Sequence, residues 1–135
     1  MKPALIDTDI LSLFMRNHDN VVSKFTSYLV EYATIHISII TYYEIVSGLK
    51  YRDAHKQLAS FLSLAAYSTI LPLTEDSVTV SAEIYARLRL LGTPVDDIDL
   101  LIAGVAVANG LILVTHNGKH FDRIDSLQTE DWSQV

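Results

Sequence analysis

Short apolar runs alternate with longer amphipathic segments along the whole chain. The apolar runs have the length and β-branched content of strands and predict them at residues 4–6, 35–39, 69–73 and 111–115. The segments between them carry apolar residues at helical spacing and predict helices over residues 9–15, 21–32, 41–51, 54–65, 75–91 and 97–109. Gly92 and Gly110 follow the last two helical segments, where glycine commonly ends a helix.

This order of elements predicts an α/β fold. Short strands separated by helices pair most easily in parallel through right-handed crossovers, so helices are expected on both faces of a short parallel sheet. No linker rich in proline, glycine or serine and no repeat interrupts the 135 residues, which predicts a single domain over 1–135. In such sheets, functional sites form at the carboxyl ends of the strands.

Composition narrows the setting in which the protein works. The chain has no cysteine, which excludes disulfides and thiolate zinc sites and fits a reducing cytoplasm. The most apolar stretch, residues 100–114, is shorter than the roughly 20 residues of a membrane span and contains Asn109-Gly110. Asp7 and Asp9 fall where a signal peptide would be apolar, so we expect a cytoplasmic protein without membrane association.

The charge balance bears on nucleic-acid binding. Ten basic and sixteen acidic residues give a net charge of −6, the wrong sign for binding nucleic acid by bulk electrostatics. A phosphate substrate would have to be met by local basic residues, for which the candidates are Lys50, Arg52, Lys56, Lys119 and Arg123. Alternatively, these residues are ordinary solvated surface charges.

Three carboxylates fall at positions suited to a site. Asp7 directly follows the first strand, Glu44 lies one turn into the helix after the second, and Asp99 lies in the first turn of the helix before the last strand. Their neighbours are apolar, so the carboxylates are expected to be partly buried. Grouped carboxylates repel one another unless a divalent cation neutralises them. Oxygen ligands favour magnesium or manganese over zinc.

Structural roles are open alternatives for two of the acidic positions near the first two strands. Thr41 and Glu44 have the spacing of a capping box, in which Glu44 only bonds the amide of the N-cap threonine. Asp9 or Thr8 could cap the first helix, and capping is the preferred interpretation of Asp9.

The acids before the last strand have structural alternatives as well. Asp96 or Asp97 could cap the helix that begins near residue 98. Asp99 could simply favour the positive end of that helix dipole. Position alone therefore leaves its function open.

Local sequence patterns point to one family. The segments LIDTDIL, SIITYYEIVSGL, DIDLLIAGVAVANGLILVTHNGKHF and QTEDW occur here in that order. Over essentially its whole length the chain resembles PIN-domain ribonucleases of the VapC toxin type, found in bacterial toxin–antitoxin pairs. The resemblance implies a parallel sheet flanked by helices and a metal-dependent endoribonuclease that hydrolyses RNA phosphodiester bonds. Transfer RNA is a frequent target of similar toxins.

The resemblance also implies which residues form the site. The acidic metal-binding set would be Asp7, Glu44 and Asp99. A further segment of the form T-x-N-x-x-acid-F follows the last strand, and Thr115 and Asn117 match it. They would orient a metal-bound water or a carboxylate. His120 stands where an acid is common, so a fourth carboxylate is not carried over; a lone histidine is more often a surface or hydrogen-bonded residue than a ligand.

Roles and partners follow from the same resemblance. Asp7 and Asp99 would contact Mg²⁺, or Mn²⁺ in its place, while Glu44 would contact the ion through water or act as general base. A VapB-type antitoxin would lay its basic C-terminal tail across the acidic pocket, which suits the net charge of −6. A homodimer is also expected.

Three other interpretations compete with this one. The D-x-D pattern at Asp7 and Asp9 also occurs in haloacid-dehalogenase-type phosphatases, but no lysine follows a late strand in the expected setting. A receiver-like signalling domain would need an aspartate at the end of the central strand, and residues 69–74 supply none. A purely structural partner-binding module would leave the spaced acids unexplained.

Overall fold

The computed structural model describes all 135 residues as five strands and seven helices. The strands are β1 (Ala4–Ile6), β2 (His36–Ser38), β3 (Thr69–Leu71), β4 (Ile112–Val114) and β5 (Thr129–Glu130). The helices are α1 (Thr8–Met15), α2 (Asp19–Glu31), α3 (Ile39–Tyr51), α4 (His55–Ala66), α5 (Glu75–Leu90), α6 (Asp97–Ala108) and α7 (Gly118–Phe121).

All five strands pair in parallel, in the order β3-β2-β1-β4-β5. Ile6 is aligned with Val114, so β1 and β4 end at the same level. The amide of Asp7 continues this ladder with a 2.9 Å bond to the Val114 carbonyl. The residues that follow β1 and β4 therefore meet at one edge of the sheet, as expected for a parallel α/β fold.

Helices cover both faces of the sheet, as the sequence predicted. One face carries a core of sixteen buried residues that includes Phe25, Phe61 and Trp132. The other carries eleven, among them Leu88 and Phe121. The central strands β1 and β4 are fully buried because they contribute alternate side chains to the two cores.

The packing of α5 on α6 requires a glycine. A Cβ atom at Gly104 would overlap both Ser81 Oγ and the carbonyl oxygen of Ser77. The close approach also lets Ser81 Oγ donate a 2.7 Å hydrogen bond to the carbonyl of Leu100. This contact fixes the first turn of α6, which carries Asp99.

Most predicted elements are confirmed, with ends that differ by a few residues. β2, β3 and β4 are shorter than predicted, and α3 begins at Ile39, two residues early. Gly92 and Gly110 have φ values of +72° and +66° and follow α5 and α6, as expected of helix-ending glycines. The sequence patterns missed α7 and β5. No helix has the length and apolar character needed to cross a membrane.

Candidate active site

Asp7 lies at the centre of the sheet edge, between β1 and α1. Its side chain is 6% exposed. Oδ1 accepts a 2.8 Å hydrogen bond from the amide of Thr8, and Oδ2 accepts a 2.8 Å bond from the hydroxyl of Thr115. Burial, followed by the charge of Asp9 and a smaller effect of Asp99, raises the pKa of Asp7 to about 7. The predicted burial of this carboxylate is confirmed.

Asp9 connects α1 to the loop after β4. Its Oδ1 accepts a hydrogen bond from the amide of Ile10, and its Oδ2 accepts one from the amide of His116 at 3.0 Å. The interpretation of Asp9 as the cap of α1 is wrong, because Asp7 occupies the N-cap position. Burial raises the pKa of Asp9 as well, against the effect of these hydrogen bonds.

Glu44 is held toward β1 by a threonine hydroxyl. Thr8 Oγ1 donates a 2.7 Å hydrogen bond to Glu44 Oε1 and lies 3.0 Å from Thr41 Oγ1. The capping-box alternative is wrong: Ser38 is the N-cap of α3 and accepts the bond from the Thr41 amide. Thr41 is instead buried within the helix. Glu44 therefore has no capping role in α3.

Asp99 faces the short helix α7. Its Oδ2 lies 3.1 Å from Nδ1 of His120, whose side chain is 60% exposed. His120 thus contacts one of the three candidate acids, a relationship that the sequence patterns did not predict. Asp96 occupies the N-cap of α6 but makes no capping hydrogen bond with its side chain. Asp99 stands in the first turn, as predicted.

Thr115 and Asn117 lie in the loop between β4 and α7. The hydroxyl of Thr115 is buried, donates to Asp7 and accepts a 3.1 Å hydrogen bond from the amide of Asn117. Asn117 precedes α7, but its side chain makes no capping bond. The structure therefore gives Thr115 a role in orienting Asp7, while a role of the Asn117 carboxamide stays a prediction.

Comparison with known proteins identifies the family of the chain. The PIN domain family matches residues 4–127, most of the chain. The chain belongs to the PIN-domain family. Its site acids come from the elements expected of the resemblance, and neither the phosphatase nor the receiver alternative is favoured.

Relatives place this PIN domain with the VapC-type ribonucleases. The chain is 31% identical over 130 residues to the tRNA(fMet)-specific endonuclease VapC of Shigella flexneri, covering 96% of this chain and 97% of the relative. It is 28% identical over 131 residues to ribonuclease VapC1 of Haemophilus influenzae (strain R2866), covering 96% and 98%. A structure of DNA-bound VapBC from Salmonella typhimurium superposes with a TM-score of 0.86 at 28% identity, covering 98% and 99%.

The donor chemistry of the PIN domain fits a hard divalent cation. Glu44 Oε2 and Asp99 Oδ1 accept no hydrogen bond from the protein, so both oxygens are available to an ion or to water. Asp7 is a buried carboxylate without a cationic side chain beside it. No group of three or more histidine or acidic side chains stands in ligating positions in this structure. Ligation by the predicted set therefore stays a prediction.

Two clefts flank the carboxylates. A groove of about 430 Å³ between α1 and α3 is lined by Thr8 and Glu44 together with Arg16 and Arg52. A second cleft, of about 280 Å³, adjoins α7 and is lined by polar and charged residues that include Asp99, Lys119, His120 and Arg123. Of the predicted phosphate contacts, Lys50 and Lys56 line neither cleft. Arg16 was missed, although it follows the helix that Asp7 begins.

Proposed function

We propose that this VapC-type PIN domain is a magnesium-dependent endoribonuclease whose site is formed by Asp7, Glu44 and Asp99. The observation that carries the proposal is the buried carboxylate of Asp7 at the sheet edge, whose pKa is raised in part by the charge of Asp99. Glu44 is linked to the residue after Asp7 by the hydrogen bond from the Thr8 hydroxyl. Buried carboxylates are costly without a neutralising cation, so such a group indicates a functional site.

Asp7 and Asp99 would hold Mg²⁺, with Mn²⁺ as an alternative ion. When bound, the ion would lower the pKa of a water molecule and stabilise negative charge on the phosphoryl oxygens. Thr115 holds Oδ2 of Asp7 in one orientation, so the carboxylate does not have to reorganise to meet a cation. Hydrogen bonding to a ligand carboxylate is typical of metal sites in proteins.

Glu44 would act as the general base. Its Oε1 is fixed by the Thr8 hydroxyl, while Oε2 is free to accept a proton from an attacking water. The alternative is contact with the ion through water, which uses the same free oxygen. Asn117 would assist from the other side by orienting that water through its carboxamide.

RNA is the proposed substrate class, and transfer RNA is the first candidate within it. The names of the Shigella flexneri and Haemophilus influenzae relatives support this choice. Hydrolysis by water does not require the substrate 2′-hydroxyl, so RNA must be distinguished from DNA by the surface around the site.

A VapB-type antitoxin is the proposed protein partner. Solved relatives are VapBC complexes, and the net charge of −6 suits a basic antitoxin tail. We expect co-purification with the product of an adjacent small reading frame and a homodimeric mass in light scattering. Failure to co-purify would contradict the antitoxin, and a monomeric mass would contradict the dimer. A cytoplasmic location belongs to the same proposal.

The proposal is tested by mapping the 5′ ends produced from total bacterial RNA, with and without magnesium. We expect new ends at a restricted set of sites with the wild type in magnesium, and none with Asp7→Asn or after chelation. Circular dichroism would establish that the variant is folded. Identical ends from the wild type and Asp7→Asn would contradict the assignment.

A further inference from the structure

Four basic side chains line the two clefts that contain Glu44 and Asp99. Arg16 and Arg52 line the groove that contains Glu44, whereas Lys119 and Arg123 line the cleft that contains Asp99. One basic pair therefore shares a cleft with Glu44, and the other shares a cleft with Asp99. The protein as a whole is acidic, so this local arrangement runs against its net charge of −6.

These four cations are not neutralised by the site. None of the ten lysine and arginine side chains has a carboxylate oxygen within 4.0 Å, since every ion pair of the protein involves a histidine or the N-terminus. Arg52 shares a groove with Glu44 without pairing with it. The guanidinium and ammonium groups are thus available to an anion from outside the protein.

The Arg52 side chain extends over a glycine of α3. Glu44, Gly48 and Arg52 are four residues apart and share one face of the helix. A Cβ atom built on Gly48 would lie 3.8 Å from Nη1 of Arg52, so the guanidinium extends back over the glycine. That direction leads along the groove toward Glu44.

Arg16 lines the same groove from the end of α1. It is the C-cap residue of α1, and its Nε lies 3.4 Å from the carbonyl oxygen of Ser12. This contact leaves the two terminal nitrogens without a protein partner. Arginine presents these nitrogens as a planar fork that matches the oxygens of a phosphate.

We infer that the two clefts form a continuous track for a single RNA strand, with Arg16 and Arg52 binding its phosphates on one side of the scissile bond and Lys119 and Arg123 binding them on the other. The inference rests on the proposed ribonuclease function and adds the substrate-binding residues. A single strand is favoured over a duplex because the central carboxylate, Asp7, is only 6% exposed and a phosphate must enter the narrow site to reach it.

The track is tested with two paired variants, Arg16→Ala/Arg52→Ala and Lys119→Ala/Arg123→Ala. The matched control is Lys24→Ala/Arg87→Ala, which removes the same charge from exposed positions that line neither cleft. Cleavage of bulk bacterial transfer RNA in magnesium gives KM and kcat. Binding of a labelled single-stranded RNA oligonucleotide is measured by fluorescence anisotropy in the Asp7→Asn background at several salt concentrations.

Each cleft pair is expected to raise KM and Kd about tenfold and to leave kcat within about twofold, whereas the control changes neither. The slope of log Kd against log salt should fall by about 1.4 for each pair, at about 0.7 per lost phosphate contact on a single strand. Arg16→Lys/Arg52→Lys should bind RNA with most of the wild-type affinity. This variant keeps the positive charges, so it shows whether the alanine variant lost affinity through charge or through packing.

Other outcomes overturn the inference. If RNA is cut and both cleft pairs behave like the control, the track is wrong while the ribonuclease function stands. An effect at one cleft alone contradicts a path across the carboxylates. Cleft variants that weaken only the complex with an antitoxin would assign the basic residues to the protein partner. If the wild type neither binds nor cuts RNA, both the proposed ribonuclease function and the track are wrong.

Discussion

Thr115 donates a 2.8 Å hydrogen bond to Oδ2 of Asp7 and so joins the residue after β4 to the residue after β1. The two residues are 108 positions apart in the chain. They meet because β1 and β4 are parallel neighbours in register. The bond lowers the pKa of Asp7 but does not offset burial, which raises it to about 7. Ionising Asp7 is therefore unfavourable in the ion-free protein, and a bound cation would offset that cost.

The stability of the ion-free protein should depend on this charge. The pKa of Asp7 is about 7 when folded and near its ordinary value of 3.8 when unfolded, so the folded state binds more protons between these values. Unfolding free energy should therefore fall as pH rises from 4 to 7, by up to about 4 kcal/mol from this group. Chemical denaturation in chelator across that range measures the change.

Asp7→Asn is the matched variant for this prediction. It should flatten the pH dependence and be more stable than the wild type at pH 8 without metal, because the buried charge is gone. Magnesium should stabilise the wild type at pH 8 and leave Asp7→Asn unchanged. If the unfolding free energy of the wild type rises between pH 4 and 7 in chelator, the pKa of Asp7 is not raised by burial.

Thr8→Val tests whether the Thr8 hydroxyl positions Glu44. The substitution keeps the shape but removes the 2.7 Å bond to Oε1. We expect kcat to fall about tenfold, as is typical when a group that orients a site carboxylate is lost, with little change in KM for RNA. Thr26→Val, at an exposed threonine of α2, is the control. Full activity in Thr8→Val would show that the reaction does not need this hydrogen bond to Glu44.

Gly104→Ala tests the packing that fixes the first turn of α6. The added methyl group would overlap Ser81 Oγ and the Ser77 carbonyl, and should cost about 1–3 kcal/mol of unfolding free energy. Gly118→Ala meets only Asp122 Oδ1, at 3.9 Å, and should change stability far less. Equal thermal midpoints for the two variants would contradict the tight contact of α5 with α6.

His120→Glu places a carboxylate beside Asp99, at the position where the resemblance to VapC-type toxins implies an acid. We expect a several-fold lower magnesium concentration for half-maximal cleavage and a lower melting temperature in chelator, since the new charge repels Asp99 until an ion binds. His55→Glu is the control, because His55 is 82% exposed and pairs with Asp53 away from the site. An unchanged magnesium requirement would place His120 outside the ion's reach.

The sequence predicted the sheet and the position of Asp7, because an acid directly after a short apolar strand falls at the sheet edge. The preferred interpretation of Asp9 as a helix cap is wrong, and so is the alternative of a capping box at Thr41, because the caps are Asp7 and Ser38. Ile39 and Ile40 look like the end of a strand by composition, yet α3 already begins there and Ser38 becomes its cap. Local preference cannot separate these two states, because tertiary packing decides between them.

The contacts made by α7 could not be predicted. This helix has four residues, too few for a periodic pattern, and its placement brings His120 to Asp99 over 21 positions. The role of Arg16 depends likewise on which helix faces α1. Such relationships follow from the packing of whole elements and leave no local trace in the sequence.

The central claim is that Asp7 and Asp99 support cleavage of RNA through a divalent cation. The most direct measurement is the initial rate of transfer RNA cleavage in a magnesium titration for the wild type, Asp7→Asn, Asp99→Asn and the control Asp19→Asn at the start of α2. The account predicts magnesium-dependent cleavage by the wild type and the control, and a loss of at least about 100-fold in both site variants. Cleavage at the wild-type rate by either site variant, or by the wild type in chelator, would contradict it.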